Sequence, residues 1–208
     1  MRFAPLALTL ALAAGTLLAG CGTDNASTPA TVATNAPSPF QFTQSAGVFY
    51  KDYTGPQRPA IDAVAAGGAL VAATQTIVLD AKMAGPVAAG APNYYVWGID
   101  RGGAANAPFP DESAVSFNAV VVVTADAAGA LSGVVNLLAG VPAQPVTAVL
   151  TAPDTIEVTV PVSLLPSTGL AASAYRWNLW PRSAVGGSAT AQIASFIPED
   201  ALAPLVAR

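Results

Sequence analysis

Hydrophobic and polar positions alternate along short stretches of this chain, with the period of two that is typical of β-strands. The clearest stretch runs from Thr76 to Met83, where every second side chain is apolar. Its predicted inward face consists of Ile77, Leu79, Ala81 and Met83. The pattern therefore predicts a half-buried strand over these eight residues.

Similar apolar runs recur along the chain and are separated by turn-forming residues such as Asp126–Gly129. The further predicted strands are Tyr94–Asp100, Phe117–Thr124, Leu131–Leu138, Val146–Leu150, Ile156–Val162, Tyr175–Trp180 and Ala191–Phe196. The alanine-rich stretch from Pro59 to Ala73 fits either a strand or a loop, because Gly67 and Gly68 interrupt it. Such a series predicts an all-β fold, a single antiparallel β-sandwich of about seven to nine short strands.

The N-terminal residues show a different pattern. Arg2 precedes an apolar run that ends at Leu18, and its length of about 16 residues is short of the ~20 that a membrane-crossing helix needs. The run closes with Leu18-Ala19-Gly20-Cys21, which resembles the lipobox of bacterial lipoprotein precursors. This resemblance implies that residues 1–20 are a signal peptide and that Cys21 becomes the lipid-bearing first residue of the mature protein.

Residues 21–44 are rich in Ser, Thr, Ala, Asn and Pro and have no hydrophobic period, which predicts a flexible linker. The β-sandwich domain would then occupy residues 45–208. Because several acyl chains hold a protein firmly to a bilayer, we expect the membrane to be a partner and the bacterial cell envelope to be the location. The residue after Cys21 is Gly22 rather than an acid, a pattern that in enteric bacteria favours the outer membrane.

Composition excludes several classes of function. The chain has only eight Lys and Arg residues, and its net charge is −4, so we expect no nucleic-acid partner. It contains no histidine, and its one cysteine is assigned to the lipid. Ser-His-Asp and Cys-His catalysis and the usual zinc sites are therefore excluded. Charged residues make up only 10% of the chain, which also favours strands over helices with charged outer faces.

The acidic residues do not mark a catalytic pair. Asp111 and Glu112 are the closest two, but adjacent side chains on an extended segment point in opposite directions. A glycosidase needs two carboxylates that face each other across a cleft. We therefore expect no catalytic residues, no metal ligands and no cofactor.

A candidate ligand face follows from the alternation in two aromatic-rich strands. If Tyr95, Trp97 and Trp177 face the core, an outward set results that consists of Tyr94, Asp100, Arg176, Asn178 and Trp180. An exposed indole beside polar groups can stack on a sugar while its neighbours form hydrogen bonds. The alternative interpretation is that the loop 181–188 covers Trp180, so that its ring closes the core.

Three segments carry a second resemblance. Tyr94–Asp100 (YYVWGID), Val160–Leu165 (VPVSLL) and Tyr175–Leu179 (YRWNL) resemble strand motifs of the carbohydrate-binding β-sandwiches related to family 9 modules. That group implies binding of sugars or of haem. Haem would need a histidine or paired methionines as ligands, and Met83 is the only methionine beyond the leader, so haem is not expected.

These observations predict a membrane-anchored, exported lipoprotein whose β-sandwich is a non-catalytic binding module. Carbohydrate is the leading ligand class. The alternative is a structural or assembly lipoprotein that docks an envelope protein through a strand edge. A hydrolase is a third hypothesis, and two facing carboxylates in a cleft would favour it.

Overall fold

The computed structural model describes residues 39–47, 55–103, 107–109, 112–184, 191–199 and 201–208. The predicted signal peptide, Cys21, most of the linker and Asp111 lie outside these residues. The strands are β1 (Phe42–Thr43), β2 (Ala63–Val71), β3 (Thr76–Met83), β4 (Asn93–Asp100), β5 (Ala107–Phe109), β6 (Glu112–Phe117), β7 (Ala119–Ala125), β8 (Leu131–Asn136), β9 (Gln144–Ala152), β10 (Thr155–Pro161), β11 (Arg176–Arg182), β12 (Ala203–Pro204) and β13 (Val206–Ala207). Helical structure in this part of the chain is limited to three single-turn 3-10 helices, Pro59–Ile61, Val162–Leu164 and Ala172–Ala174. No described helix has the length and apolar character to span a membrane.

Antiparallel pairing joins most strands into one sheet, in the order β1-β2-β3-β10-β9-β8-β7-β4-β11-β12. β13 pairs with β2 in parallel, and β5 and β6 form a separate hairpin. The all-β prediction is therefore confirmed.

The sheet curls until its two ends face each other. Trp177 on β11 lies so close to Gly68 on β2 that a Cβ atom at Gly68 would be 2.5 Å from the indole Nε1. The C-terminal segment joins the same two ends, because Ala203–Pro204 pairs with β11 and Val206–Ala207 pairs with β2. The enclosed space is the main hydrophobic core.

Side-chain alternation fills this core as the sequence predicts. The inward residues of β3, namely Ile77, Leu79, Ala81 and Met83, are at most 1% exposed. Tyr95, Trp97 and Trp177 belong to the same buried cluster. β7 lies between β8 and β4, and its valines at 121 and 123 are fully buried. A central position explains why that strand is apolar along its length.

A second, smaller hydrophobic cluster covers the outer face of β4 and β11. Its buried members are Val96, Phe109, Val115, Phe117, Trp180, Ile193 and Phe196. They come from the two sheet strands, from the β5–β6 hairpin and from the segment 191–197. β4 and β11 are therefore covered on both faces.

The structure decides the alternative left open for one stretch and corrects other predictions. The ambiguous stretch after Pro59 forms β2, and its glycines allow close approach, since a Cβ at Gly67 would be 2.3 Å from the carbonyl oxygen of Pro39. The predicted strand Ala191–Phe196 does not form, because the segment makes only isolated bridges to β11, at Ile193 and Ile197. The last linker residues belong to the sheet, since Phe42–Thr43 pairs with β2.

Candidate functional site

The predicted aromatic platform is buried. Trp180 does lie on the outer face of β11, as alternation predicts, but it is only 3% exposed. Its ring centroid lies 4.8 Å from that of Phe109, 5.1 Å from that of Phe117 and 6.0 Å from that of Phe196. The interpretation of an exposed stacking surface is therefore wrong, and the alternative, that Trp180 is covered, is correct. The cause is the β5–β6 hairpin and the segment 191–197, whose packing onto this face no period in the sequence indicates.

Asn178 is also fully buried and has a structural role. Its amide nitrogen donates hydrogen bonds to the carbonyl oxygens of Pro198, at 2.6 Å, and Ala201, at 2.8 Å. These bonds hold the chain that leads into the C-terminal strands against β11. The amide nitrogen is therefore committed within the protein.

Asp100 and Arg176 are brought together, as partners of each other. They are paired in register on β4 and β11, and the Arg176 Nε atom donates to the carboxylate of Asp100 at 2.9 Å. The Nη2 atom of Arg176 contacts the same oxygen. The other carboxylate oxygen accepts the backbone N–H of Gly102 at 2.8 Å. Asp100 is fully buried. Its carboxylate therefore has a structural role, because it binds Arg176 on β11 and the backbone of Gly102 at the end of β4.

Tyr94 lies away from this pair. It is half-buried and pairs with Arg182, at the opposite end of β4 from Asp100. Six residues of extended chain span about 20 Å, so one small ligand cannot contact both side chains. The five predicted ligand residues therefore do not form a common site.

The apolar surface that remains open is concentrated in one hairpin. Among the described residues, six large hydrophobic side chains are exposed: Val134, Leu138, Val141, Val149, Leu150 and Val206. Five of them lie between residues 134 and 150, in β8, β9 and the loop between them. Concentrated exposed apolar surface of this kind is typical of interaction sites.

β9 forms the corner at which the sheet turns. Its first residues, Gln144–Val146, pair with β8, and its later residues pair with β10. From Thr147 to Ala152, the strand pairings of the described residues include no partner on the side away from β10. This free edge of β9 (residues 147–152) is about 20 Å long.

Both faces of β9 are open near this edge. Val149 is opposite Glu157 on the outer side of the sheet and is 45% exposed. Leu150 is opposite the fully buried Ile156, yet it is 39% exposed. The strands on the other side of the core therefore bury the inward side chain of Ile156 on β10 but leave that of Leu150 on β9 exposed. The edge could not be predicted from the sequence, since it depends on where β8 and β9 separate.

One acidic pair was also missed by sequence reasoning. Asp80 on β3 is opposite Glu157 on β10, and a guanidinium nitrogen of Arg208 lies 3.8 Å from the Asp80 carboxylate. Burial first, and Glu157 second, raise the pKa of Asp80 to about 6, against the opposing effect of Arg208. Asp80 is only 3% exposed, so this pair is not placed in an open cleft. Nowhere in the described residues do three acidic, Cys or His side chains gather closely enough to hold a metal ion.

No protein family model matches the chain, and no curated protein sequence matches it. One solved structure, a "putative carbohydrate-binding protein" from Bacteroides uniformis ATCC 8492, is 14% identical, with 76% of this chain and 77% of that chain covered. The TM-score between the two is 0.34, a value that does not establish a common fold.

Proposed function

We propose that this chain is a lipid-anchored envelope protein whose β-rich domain acts as a non-catalytic assembly module, joining a second copy of itself through the free edge of β9. The uncharged, unpaired edge with exposed Val149 and Leu150 carries the proposal. We do not propose carbohydrate binding at the outer face of β4 and β11, because Trp180, the side chain predicted to stack on a sugar, is buried there.

The sequence Leu18-Ala19-Gly20-Cys21 supports the anchored part of the proposal. Acylation of Cys21 would hold the domain at a membrane surface, and the outer membrane is the favoured location. Tethering in a plane raises the effective concentration of neighbouring copies. A weak contact between domains would then be sufficient for assembly.

The edge of β9 has little of the protection that strand edges usually carry. Natural edge strands are commonly blocked by charged residues, especially lysine, or by proline. β9 reads QPVTAVLTA and has no charged residue. Its proline, Pro145, lies in the half that already pairs with β8. The free half therefore presents backbone donors and acceptors to an incoming strand.

A second copy of this chain can pair with the uncharged edge of β9. Two copies related by a two-fold axis would pair their β9 strands antiparallel, and only the residue on the axis would meet its own copy. Residues 147–152 carry no charge, so this pairing brings no like charges together. With the axis at Val149, the exposed valine side chains of the two copies would shield each other from water.

Sedimentation equilibrium of the full-length protein in density-matched non-ionic detergent tests the proposal. We expect the wild-type protein to have the mass of a dimer, and the Val149→Lys/Leu150→Lys variant to have the mass of a monomer. The charge-matched control is Ala73→Lys/Ala174→Lys, at exposed positions in the β2–β3 turn and at the end of the 3-10 helix before β11, and it should stay dimeric. A monomeric wild-type protein, or a dimeric β9 variant, would contradict self-association through this edge.

A further inference from the structure

A cavity of about 370 Å³ opens at the end of the sheet where β3 and β10 meet their turns. One wall is Arg58, Pro59 and Ala60, at the start of the first 3-10 helix, and the other is Pro86, Ala88 and Ala89, from the β3–β4 loop. Its volume is within the lower range of small-molecule sites. Apart from Arg58, its lining side chains are apolar.

The two walls are fixed to each other and to the core. The Gly85 N–H donates to the carbonyl oxygen of Pro59 at 3.1 Å, and the Ala84 N–H donates to that of Asp62 at 2.8 Å. Val87 is fully buried, and its N–H donates to the carbonyl oxygen of Pro153 at 2.9 Å. A cavity between walls fixed in this way is preformed, so a ligand would lose little free energy in ordering it.

Buried polar groups orient the guanidinium of Arg58. Its Nη2 atom donates to the Oδ1 atom of Asn93 at 2.8 Å. Asn93 is fully buried, and its own amide nitrogen donates to the carbonyl oxygen of Val87 at 3.2 Å. Beneath the same wall, the Tyr95 hydroxyl donates to the carbonyl oxygen of Ala60 at 2.7 Å. The position of the charge is thus set by the protein before any ligand arrives.

The Nε atom of Arg58 is buried and has no hydrogen-bond partner. None of the ion pairs among the described residues involves this side chain. A buried donor on a cation that lacks an acceptor is costly. Arg58 as a whole is half-buried and lines the cavity, so an anionic oxygen there could form a charge-assisted hydrogen bond with its guanidinium.

We infer that this cavity is a binding site for a small carboxylate with a compact apolar body. The carboxylate accepts hydrogen bonds from Arg58, and the apolar body lies against Pro59, Pro86 and the alanines. Arginine suits this role because its planar group offers several donors in a fixed arrangement. Two sources share this chemistry, a free organic acid and the C-terminal carboxylate of a peptide.

Titration of the full-length protein, in non-ionic detergent, with benzoate and with N-acetylproline tests the inference and separates the two sources. We expect one of these acids to bind saturably and to shift the side-chain Nε–H resonance of Arg58 in ¹⁵N-edited NMR spectra. Benzamide, which has the same ring as benzoate but no charge, should not shift it. Tighter binding of N-acetylproline would indicate a peptide terminus, and tighter binding of benzoate a free acid.

Substitution of the arginine gives a second readout. Arg58→Gln should weaken binding of the preferred acid by roughly tenfold to a hundredfold, since it removes a hydrogen bond to a charged group. Lys82→Gln, which removes a different cation near this end of the sheet, should leave binding within about twofold of wild type. Saturation by neither acid, an unmoved Arg58 resonance, or equal losses in both variants would overturn the inference. The NMR readout needs no substitution, so it decides the question even where Arg58→Gln unfolds the domain.

Discussion

Asp80 and Glu157 occupy directly opposite positions on β3 and β10, so two carboxyl groups meet on one face of the sheet. Only Asp80 is deeply buried, and a guanidinium nitrogen of Arg208, at the C-terminus, lies 3.8 Å from its carboxylate. Burial and the facing carboxylate together raise its pKa from 3.8 to about 6. The folded state therefore binds a proton at Asp80 more tightly than the unfolded state does.

This raised pKa has a consequence for stability. Because the native state holds the extra proton between about pH 4 and pH 6, the contribution of Asp80 to the free energy of unfolding falls as the pH rises through that window. The full effect is about 3 kcal/mol. Asp80→Asn removes the titration, so its stability relative to wild type should increase by about 1–3 kcal/mol between pH 4 and pH 7. Urea unfolding at both pH values measures this difference, and a stability of the variant relative to wild type that does not rise from pH 4 to pH 7 would contradict it.

The packing of Trp180 and Phe117 over β4 predicts that a methyl group added at Gly98 lowers the stability of the domain. A Cβ atom at Gly98 would lie 2.6 Å from the Trp180 ring and 3.0 Å from that of Phe117. Gly98→Ala should therefore destabilise the domain by about 1–3 kcal/mol through overpacking. Ser132→Ala, at an exposed position of β8, should change stability by no more than about 0.5 kcal/mol. If Gly98→Ala unfolds at the wild-type urea concentration, Trp180 does not lie over β4.

Because Asp100 and Arg176 form an ion pair, substitutions at the two positions should have non-additive effects on the free energy of unfolding. Arg176→Gln leaves the buried carboxylate without its cation, which costs about 2–4 kcal/mol after allowance for the half-exposed arginine. Asp100→Asn in the same chain removes the buried charge, and its side-chain oxygen can still accept the Gly102 N–H. The double variant should therefore be more stable than Arg176→Gln alone in urea unfolding. Two additive losses would show that the residues do not interact.

The lipid anchor predicts where the protein fractionates. The wild-type protein should remain with membranes after a high-salt wash, and the mass of its mature N-terminal peptide should include acyl chains on Cys21. Cys21→Ser should remove those chains and the processing that depends on them. An unmodified mature N-terminus on the wild-type protein would contradict the anchor.

The alternation of side chains was enough to predict most of the sheet. β3 has the predicted bounds, Thr76–Met83, and its inward residues are buried. The same reasoning placed Trp180 on the outer face of β11, which is where it lies. Alternation specifies which side of a strand a residue occupies, and strands with one buried face show it clearly.

The exposure of individual side chains and the position of unpaired strand edges could not be predicted in the same way. Whether Trp180 is open or covered depends on a distant hairpin that contributes Phe109 and Phe117. The free edge of β9 depends on the separation of two strands, and the cavity at Arg58 depends on a loop that packs against a 3-10 helix. Each feature arises from tertiary packing between residues far apart in sequence, for which a single sequence contains no periodic signal.

Cross-linking in intact cells tests the proposed self-association most directly. A cysteine introduced at Val149, on the free edge of β9, would be the only free thiol if Cys21 carries lipid. We expect Val149→Cys to yield a covalent species of twice the monomer mass with a short bismaleimide reagent. Ala73→Cys, at an exposed position in the β2–β3 turn, should remain monomeric. No dimer from Val149→Cys, or equal yields from the two variants, would contradict the pairing of two copies through β9.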